Sequence, residues 1–238
     1  MELALGSGVK VGLRGSLAEE RARAVSPAGV WQGDNDATSS SSLRLTVRKA
    51  LVMEIEARWP LTLLVPREAL RCYALLGRRL LQYECLLQQL NRAFLILLRQ
   101  SGVVHAMSVV RSAQSIVTAL QRHFERAHTG PWRRLLSEAE NGASLQEVAK
   151  QLSLHLRGCL CALFITVQSS CAEALEMLLD TCEALSVFVS QHQHQAGLGA
   201  PEMQSLLTSA VGAFMQHIRA EPESEALVVE LNAATKAS

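Results

Sequence analysis

A heptad row of apolar residues constrains the fold of this chain more than any other feature of its sequence. The spacings alternate between three and four residues, which places the whole row on one face of an α-helix of about nine turns. Further leucines widen this apolar stripe, so the helix is expected to pack within a globular bundle rather than in an isolated two-stranded coiled coil. The row comprises Tyr73, Leu76, Leu80, Tyr83, Leu87, Leu90, Phe94 and Leu97, and the widening leucines are Leu75, Leu81, Leu86 and Leu98.

Apolar residues at helical spacing also follow this segment and supply the partner helices that a wide stripe requires. They predict helices over residues 104–124 and 145–156, and a further helix that buries one stripe of its residues. That stripe is Cys171, Leu175, Leu178, Cys182, Leu185 and Val189. Gly102, Gly130-Pro131 and Gly142 are expected to separate the helices, and a last short helix is expected from Pro201 to about Arg219. The predicted fold class is therefore mainly α, a multi-helix bundle.

The segment before these helices has a different composition. Residues 1–42 contain scattered glycines, mixed charge and the run Ser39–Ser42, which predicts a mostly disordered tail. Alternation at Leu43, Leu45 and Val47, followed by the apolar run Leu61–Val65, predicts a small β element within residues 43–65. The expected organisation is a tail over 1–42, one domain over 43–220 and a flexible tail over 221–238.

The order of motifs from the β element onward resembles one protein family. Ile55 is followed by Trp59-Pro60-Leu61, the short apolar run Leu63-Leu64-Val65, and a helix with an early tyrosine, Tyr73. The series continues through the helical leucines, the 104–124 helix, Pro131-Trp132 and the 145–156 segment, over roughly the last 190 residues. This series resembles the C-terminal domain of the gamma-tubulin complex components. Where that family has a histidine, this chain has Leu152 or, with a shift of three residues, His155.

The resemblance implies a function and a set of partners. Members of the family hold gamma-tubulin within a microtubule-nucleating complex, in the cytoplasm and cytoskeleton at a microtubule-organising centre, spindle pole or centrosome. The expected partners are gamma-tubulin and other complex components. Because the family's N-terminal domain and the first helices of its C-terminal domain have no counterpart here, we expect a fragment, a reduced relative or an incomplete gene model. Leucine faces left without those helices would favour self-association.

The charge of the chain is unevenly distributed. Residues 58–134 contain twelve arginines and three glutamates, a balance of +9, whereas residues 135–238 contain four basic and twelve acidic residues, a balance of −8. The first 57 residues hold seven of each sign, so the net charge is only +1. Such a basic region would steer an acidic partner such as tubulin.

Two groups of arginines carry most of that positive charge. Arg71, Arg78, Arg92 and Arg99 lie opposite the apolar row, together with Cys85, and are expected to be the solvated back of the helix. Arg122, Arg126, Arg133 and Arg134 cluster around a predicted helix end and turn, and are the candidate partner-binding residues.

Other functional classes find little support in the sequence. Seven histidines occur without a zincin motif, phosphate loop or nucleophile elbow, so neither an enzyme nor a cofactor is expected. The six cysteines are expected to be reduced core thiols, and Cys159-x-Cys161 lacks the spacing of a zinc site, so no metal is expected either. No apolar run is long enough to span a membrane. The arginines are not interleaved with aromatic residues as nucleic-acid binding would require.

The main alternative function is a helical adaptor or tether that does not bind gamma-tubulin and pairs with coiled proteins through an exposed leucine stripe.

Overall fold

Helices account for most of the residues that the structure describes. The computed structural model describes residues 9–13, 51–55, 65–100, 103–165, 169–192, 196–219 and 224–236, the first two ranges as backbone only. These residues form two strands, β1 (Val9–Leu13) and β2 (Leu51–Ile55), and six helices. The helices are α1 (Arg67–Leu97), α2 (Val104–Glu140), α3 (Leu145–Ala162), α4 (Ser169–Gln191), α5 (Ala196–Ile218) and α6 (Glu225–Lys236). The predicted mainly α class is confirmed.

The chain divides into two compact units, Met1–Arg78 and Arg79–Ser238. In the first unit β1 and β2 pair antiparallel, with Val9 opposite Ile55 and Leu13 opposite Leu51. The β element predicted within residues 43–65 is not supported as it was stated, because β2 is the only part of that range described as a strand and its partner comes from the predicted tail. The β1 sequence has the two-residue period of a strand, with Val9, Val11 and Leu13 alternating with Lys10 and Gly12. The nearby glycines led to the prediction of disorder instead. The signature residues Trp59, Pro60 and Leu61 lie outside the described residues.

Helix α1 forms where the heptad row predicts it, but its buried face is rotated. The eight residues of the row alternate between buried and half-buried, so four of them, spaced seven residues apart, are buried and the other four are only half-buried. Ala93 and Leu86 extend the buried side of the row. The buried members are Leu76, Tyr83, Leu90 and Leu97, and the half-buried members are Tyr73, Leu80, Leu87 and Phe94.

The back of α1 is solvated, as predicted, at most of its arginines. Arg71, Arg92 and Arg99 are exposed, but Arg78 and Cys85 are half-buried. The neighbouring Arg79 belongs to the second unit, and within that unit its guanidinium donates to the Glu176 carboxylate of α4 at 2.6 Å. Only 11% of the Arg79 side chain is exposed, so this ion pair is shielded from solvent more than an ordinary surface pair is.

Helix α2 is the centre of the second unit. It packs against α3, α4, α5 and α6, and one row of its residues is almost wholly removed from solvent. Thr118 and Thr129 donate their hydroxyl hydrogens to carbonyls four residues earlier, so these polar groups are satisfied within the helix. The fully buried row is Val109, Val110, Ala113, Ile116 and Val117.

The break predicted at Gly130-Pro131 is wrong, because α2 continues through it to Glu140. Proline removes one helical hydrogen bond and usually bends a helix. Here the residues beyond it are held by tertiary contacts: Leu135 is buried, and the Trp132 ring packs on His155 of α3 at a centroid distance of 5.7 Å. Tertiary packing therefore outweighs the local cost of the proline.

A short turn joins α2 to α3. Gly142 has φ +85°, a conformation that glycine adopts without the steric cost of a side chain. Ser144 then caps α3, and its hydroxyl oxygen accepts a hydrogen bond from the Glu147 amide at 3.2 Å.

The predicted apolar stripe of α4 is confirmed, since all six of its residues are buried. All six cysteines are described, and they are reduced thiols. The predicted core position is confirmed for Cys159, Cys171 and Cys182, whereas Cys72 and Cys85 are half-buried and Cys161 is exposed.

The C-terminal part of the chain contains more helix than its sequence predicted. Helix α5 begins at Ala196, five residues before Pro201, because buried Ala196 and Ala200 pack its first turn. The flexible tail predicted over 221–238 is wrong for residues 225–236, which form α6. Leu227 and Leu231 lie four residues apart on one face of α6 and are both fully buried, which fixes this helix to the second unit.

Among the described residues, no helix is both long and apolar enough to cross a membrane.

The close approach of α4 to Gly199 generates a prediction for α5. A Cβ atom at Gly199 would lie 2.5 Å from Cζ of Phe188, whereas one at Gly212 would meet nothing within 4 Å. We expect Gly199→Ala to lower the free energy of unfolding by about 1–3 kcal/mol, because the Phe188 ring must move. Gly212→Ala, the control on the same helix, should raise it by about 0.5–1 kcal/mol through helix propensity. Urea denaturation measures both, and equal effects would contradict the packing described.

A second pair of substitutions tests whether α6 belongs to the folded unit. Leu227→Ala should lower the free energy of unfolding by about 2–5 kcal/mol, because a fully buried leucine is truncated. Val229→Ala, two residues away and 64% exposed, should change it by about 0.5 kcal/mol or less. If thermal unfolding shows no difference between the two variants, α6 is not docked.

Candidate functional site

Helix α2 carries all four arginines that the sequence analysis singled out. Arg122, Arg126, Arg133 and Arg134 are exposed in the structure. The first three have spacings of four and seven residues, so they share one face of the helix. Arg134 lies about 100° further around the helix axis. The predicted cluster is thus divided between two surfaces of α2.

The face with Arg122 and Arg126 lies beside α6. The Arg126 guanidinium donates to the Glu230 carboxylate at 2.8 Å and to the Arg122 carbonyl oxygen at 3.2 Å. Together with Glu125 and Thr129, these residues line a shallow depression. Because Glu125 and Glu230 offset two arginine charges here, this part of the face has little net charge.

Arg134 lies on the neighbouring surface of α2, beside α3. It lines a cleft of about 300 Å³ between the two helices, together with Pro131 and Leu135 from α2. The wall from α3 includes Leu154, His155 and Gly158. The structure therefore places one predicted partner-binding arginine at the mouth of a cleft that the sequence did not reveal.

Two histidines and a cysteine meet where α2 packs on α3. His128 comes from α2, and His155 and Cys159 come from successive turns of α3. Nδ1 of His128 lies 2.9 Å from Nε2 of His155. Sγ of Cys159 lies 3.7 Å from Nδ1 of His128 and 3.6 Å from Nε2 of His155. His155 and Cys159 are buried and His128 is half-buried, so three potential metal ligands converge in a largely dry position.

Aromatic rings hold the histidines of this cluster in place. On α2, Phe124, His128 and Trp132 follow one another at every fourth residue and form a column of stacked rings. The His128 ring is 5.5 Å from the Phe124 ring and 5.8 Å from the Trp132 ring, between centroids. The Trp132 ring also contacts His155 at 5.7 Å. A histidine enclosed in this way has little rotamer freedom, so its nitrogen is presented in a defined direction.

Burial determines the protonation of all three groups. It lowers the pKa of His128, and it lowers the pKa of His155 with a further contribution from the charge of His128. Burial raises the pKa of Cys159 to about 11. Near neutral pH both imidazoles are therefore neutral, one donating to the other, and the cysteine is a thiol. A nucleophilic cysteine needs the opposite shift.

This cluster is the functional feature that sequence reasoning missed. The motif search relied on close spacing along the chain, where Cys159 and Cys161 were the nearest pair, and Cys161 points outward. His155 and Cys159 are four residues apart, which places them on one face of a helix and was visible in the sequence. His128 lies 27 residues before His155, and only the pairing of α2 with α3 brings them together. His155 is also one of the two positions aligned with the family's histidine; the other, Leu152, is buried.

The fold and these surfaces together define a helical structural domain, organised around one long central helix. A sequence model described as gamma tubulin complex component C-terminal matches residues 16–233. The chain belongs to the gamma-tubulin complex component family, and the resemblance inferred from its motifs is confirmed. The match begins well before the first motif residue, within the predicted tail. A comparison with curated proteins finds no match.

The protonation of Cys159 generates a prediction about thiol reactivity. With a pKa of about 11, roughly one Cys159 thiol in a thousand is ionised at pH 8. We expect iodoacetamide to modify Cys159 at least about 100-fold more slowly than exposed Cys161 on the same helix. The rate at Cys159 should rise about tenfold per pH unit up to pH 10. Peptide mass spectrometry of the chelator-treated protein measures both rates, and equal labelling would contradict the burial of Cys159.

Proposed function

We propose that this protein binds gamma-tubulin as a structural component of a microtubule-nucleating complex. The match of the gamma-tubulin complex component domain to residues 16–233 is the observation that carries the proposal. The proposed setting is a microtubule-organising centre in the cytoplasm, such as a spindle pole or centrosome, with other complex components as further partners. The protein acts there without nucleic acid or a nucleotide of its own.

The physical mechanism is rigid display of a binding surface. Helix α2 is enclosed by four other helices along its apolar row, so residues on its exposed side keep fixed positions relative to one another. A fixed surface orients each bound gamma-tubulin in the same way, which is what a template for a microtubule lattice requires. Preorganisation of this kind also reduces the entropy lost on binding.

The chemistry of the cluster favours a structural role over an enzymatic one. A Cys–His nucleophile requires a thiolate and a base that is oriented by a third polar group. Burial here raises the pKa of Cys159, and the partner of each imidazole is another imidazole rather than a carboxylate. The arrangement is unsuited to nucleophilic catalysis, which supports a non-enzymatic function.

The arginines proposed to contact gamma-tubulin are not equivalent in the structure. Arg126 already pairs with Glu230 on α6, so a partner would have to compete with that carboxylate. Arg133 and Arg134 lie beyond Pro131, and Arg134 lines the cleft together with Glu138. We therefore assign the larger share of electrostatic attraction to Arg133 and Arg134, and a smaller share to Arg122 and Arg126.

An adaptor or tether is the second candidate function. Its supporting observation is the exposure of apolar residues on α1, where Leu95 and Leu98 are 59% and 53% exposed and lie on adjacent turns. Val104 at the start of α2 is 78% exposed. Such a surface suits a partner helix or a second copy of the chain, and would operate without gamma-tubulin.

Co-precipitation with gamma-tubulin separates these functions. The tagged protein is compared with Arg126→Glu/Arg133→Glu/Arg134→Glu and with a control, Arg92→Glu/Arg99→Glu/Arg157→Glu, which makes the same charge change at exposed arginines elsewhere. We expect the wild type and the control to recover gamma-tubulin, and the α2 variant to recover at least about tenfold less, because three charge reversals oppose association. Circular dichroism verifies that both variants remain helical.

Each other outcome has a distinct meaning. Equal recovery by all three proteins would keep the family function and remove the arginines from the interface. Loss of binding in both variants would indicate general electrostatic attraction without a defined site. No recovery by the wild type would contradict gamma-tubulin binding and favour the adaptor function.

A further inference from the structure

The contact between α2 and α3 has the composition of a transition-metal site. Imidazole nitrogen and cysteine sulfur are the ligands that zinc prefers in proteins, and sites with three protein ligands leave one position for water. His128, His155 and Cys159 supply this ligand set, with all three ligand atoms within 4.8 Å of one another. None of these residues was selected as a site by its sequence pattern.

The distances between the ligand atoms fit tetrahedral coordination. With Zn–N bonds of about 2.0–2.1 Å and a Zn–S bond of about 2.3 Å, tetrahedral angles separate two nitrogens by about 3.3 Å and nitrogen from sulfur by about 3.5 Å. Sγ of Cys159 is 3.7 Å and 3.6 Å from the two ligand nitrogens. The nitrogens are 2.9 Å apart, so a metal ion would require them to separate by only a few tenths of an ångström.

The surroundings of the three residues also suit a metal ion. The ring column of Phe124 and Trp132 fixes the orientation of His128, and the helical spacing of His155 and Cys159 fixes the other two ligands. His155 forms part of the wall of the cleft between α2 and α3, which gives a metal ion and a water molecule access from solvent. A site therefore has ligands, rigidity and an entrance.

We propose that His128, His155 and Cys159 bind one zinc ion, with water as the fourth ligand, and that the ion clamps α2 to α3. On binding, Cys159 transfers its thiol proton to solvent, and the imidazole that donates the hydrogen bond changes tautomer, exchanging that proton with solvent for one on its other ring nitrogen. The thiolate and the two neutral imidazoles then each donate an electron pair to the metal. The ion replaces the hydrogen bond between the two imidazoles with bonds from both helices to one centre. The proposal does not rest on the proposed function, because the site is complete within this chain.

Cobalt provides a direct test of the ligand set, because Co²⁺ occupies zinc sites. The visible and near-ultraviolet absorption spectrum of bound Co²⁺ depends on its coordination geometry and on the identity of its ligands. The purified full-length protein is titrated with Co²⁺ after treatment with a chelator and reductant. We expect one equivalent to give the intense visible bands of a tetrahedral ion and a charge-transfer band from a thiolate. One equivalent of Zn²⁺ should abolish both, since it binds more tightly.

The variants are chosen so that loss of folding cannot imitate loss of binding. Cys159→Ser and His155→Gln retain approximate side-chain size, and His105→Ala/Cys161→Ser removes an exposed histidine and an exposed cysteine from the same two helices as a control. We expect the control to bind Zn²⁺ like the wild type. Cys159→Ser and His155→Gln should each weaken Zn²⁺ affinity by about 100-fold or more, because removal of a ligand costs at least as much as removal of an outer contact.

Stability gives a second readout. Saturating Zn²⁺ should raise the Tm of the wild type and of the control by several degrees, because the ion binds the folded state. It should not raise the Tm of Cys159→Ser. The proposal is overturned if saturating Co²⁺ gives no thiolate charge-transfer band, or if Cys159→Ser and His155→Gln bind Zn²⁺ as tightly as the wild type. Equal weakening in the His105→Ala/Cys161→Ser control would overturn it as well, since binding would then be distributed over the surface.

Discussion

The burial of α2 is the constraint on which the second unit depends. Its row of small and β-branched residues is almost entirely removed from solvent, and four other helices supply the surfaces that cover it. Each of those helices contributes an apolar stripe to a shared core, in which α4 and α5 also pack closely on each other. The C-terminal half of this helix carries the four arginines and His128 of the cluster.

Patterns along a single helix were predictable from the sequence, and contacts between helices were not. The heptad row located α1, and the spacing of Cys171, Leu175 and Leu178 identified the buried stripe of α4. The rotation of the buried face of α1 escaped prediction because periodicity gives the width of an apolar stripe, whereas the partner helices determine which edge of it is covered. The half-buried Phe94 illustrates this, because the Arg111 guanidinium of α2 lies over its ring, 5.0 Å from the centroid.

Local breaking signals were overridden wherever tertiary contacts were strong. Pro131 and Pro201 both lie inside helices, although the sequence predicts a helix boundary at each. Residues 225–236 belong to the predicted flexible tail, yet they form the short helix α6, on which Leu227, Leu231 and Ala234 are buried. The candidate site was likewise only partly predictable. The pairing of His155 with Cys159 follows from their spacing on one helix, whereas the position of His128 beside them depends on how α2 packs against α3.

The orientation of Arg133 and Arg134 and the position of the histidine cluster both depend on the packing of α2 against α3. Pro131 removes a main-chain hydrogen bond from α2, so the direction of the helix beyond it depends more on side-chain packing than it would in an unbroken helix. The packing available there is Leu135 in the core and Trp132 against His155. Arg133 and Arg134 follow directly after that tryptophan. Whatever fixes His128, His155 and Cys159 relative to one another therefore also fixes the direction in which these two arginines are presented, and a bond through one metal centre would do so more rigidly than stacked rings alone.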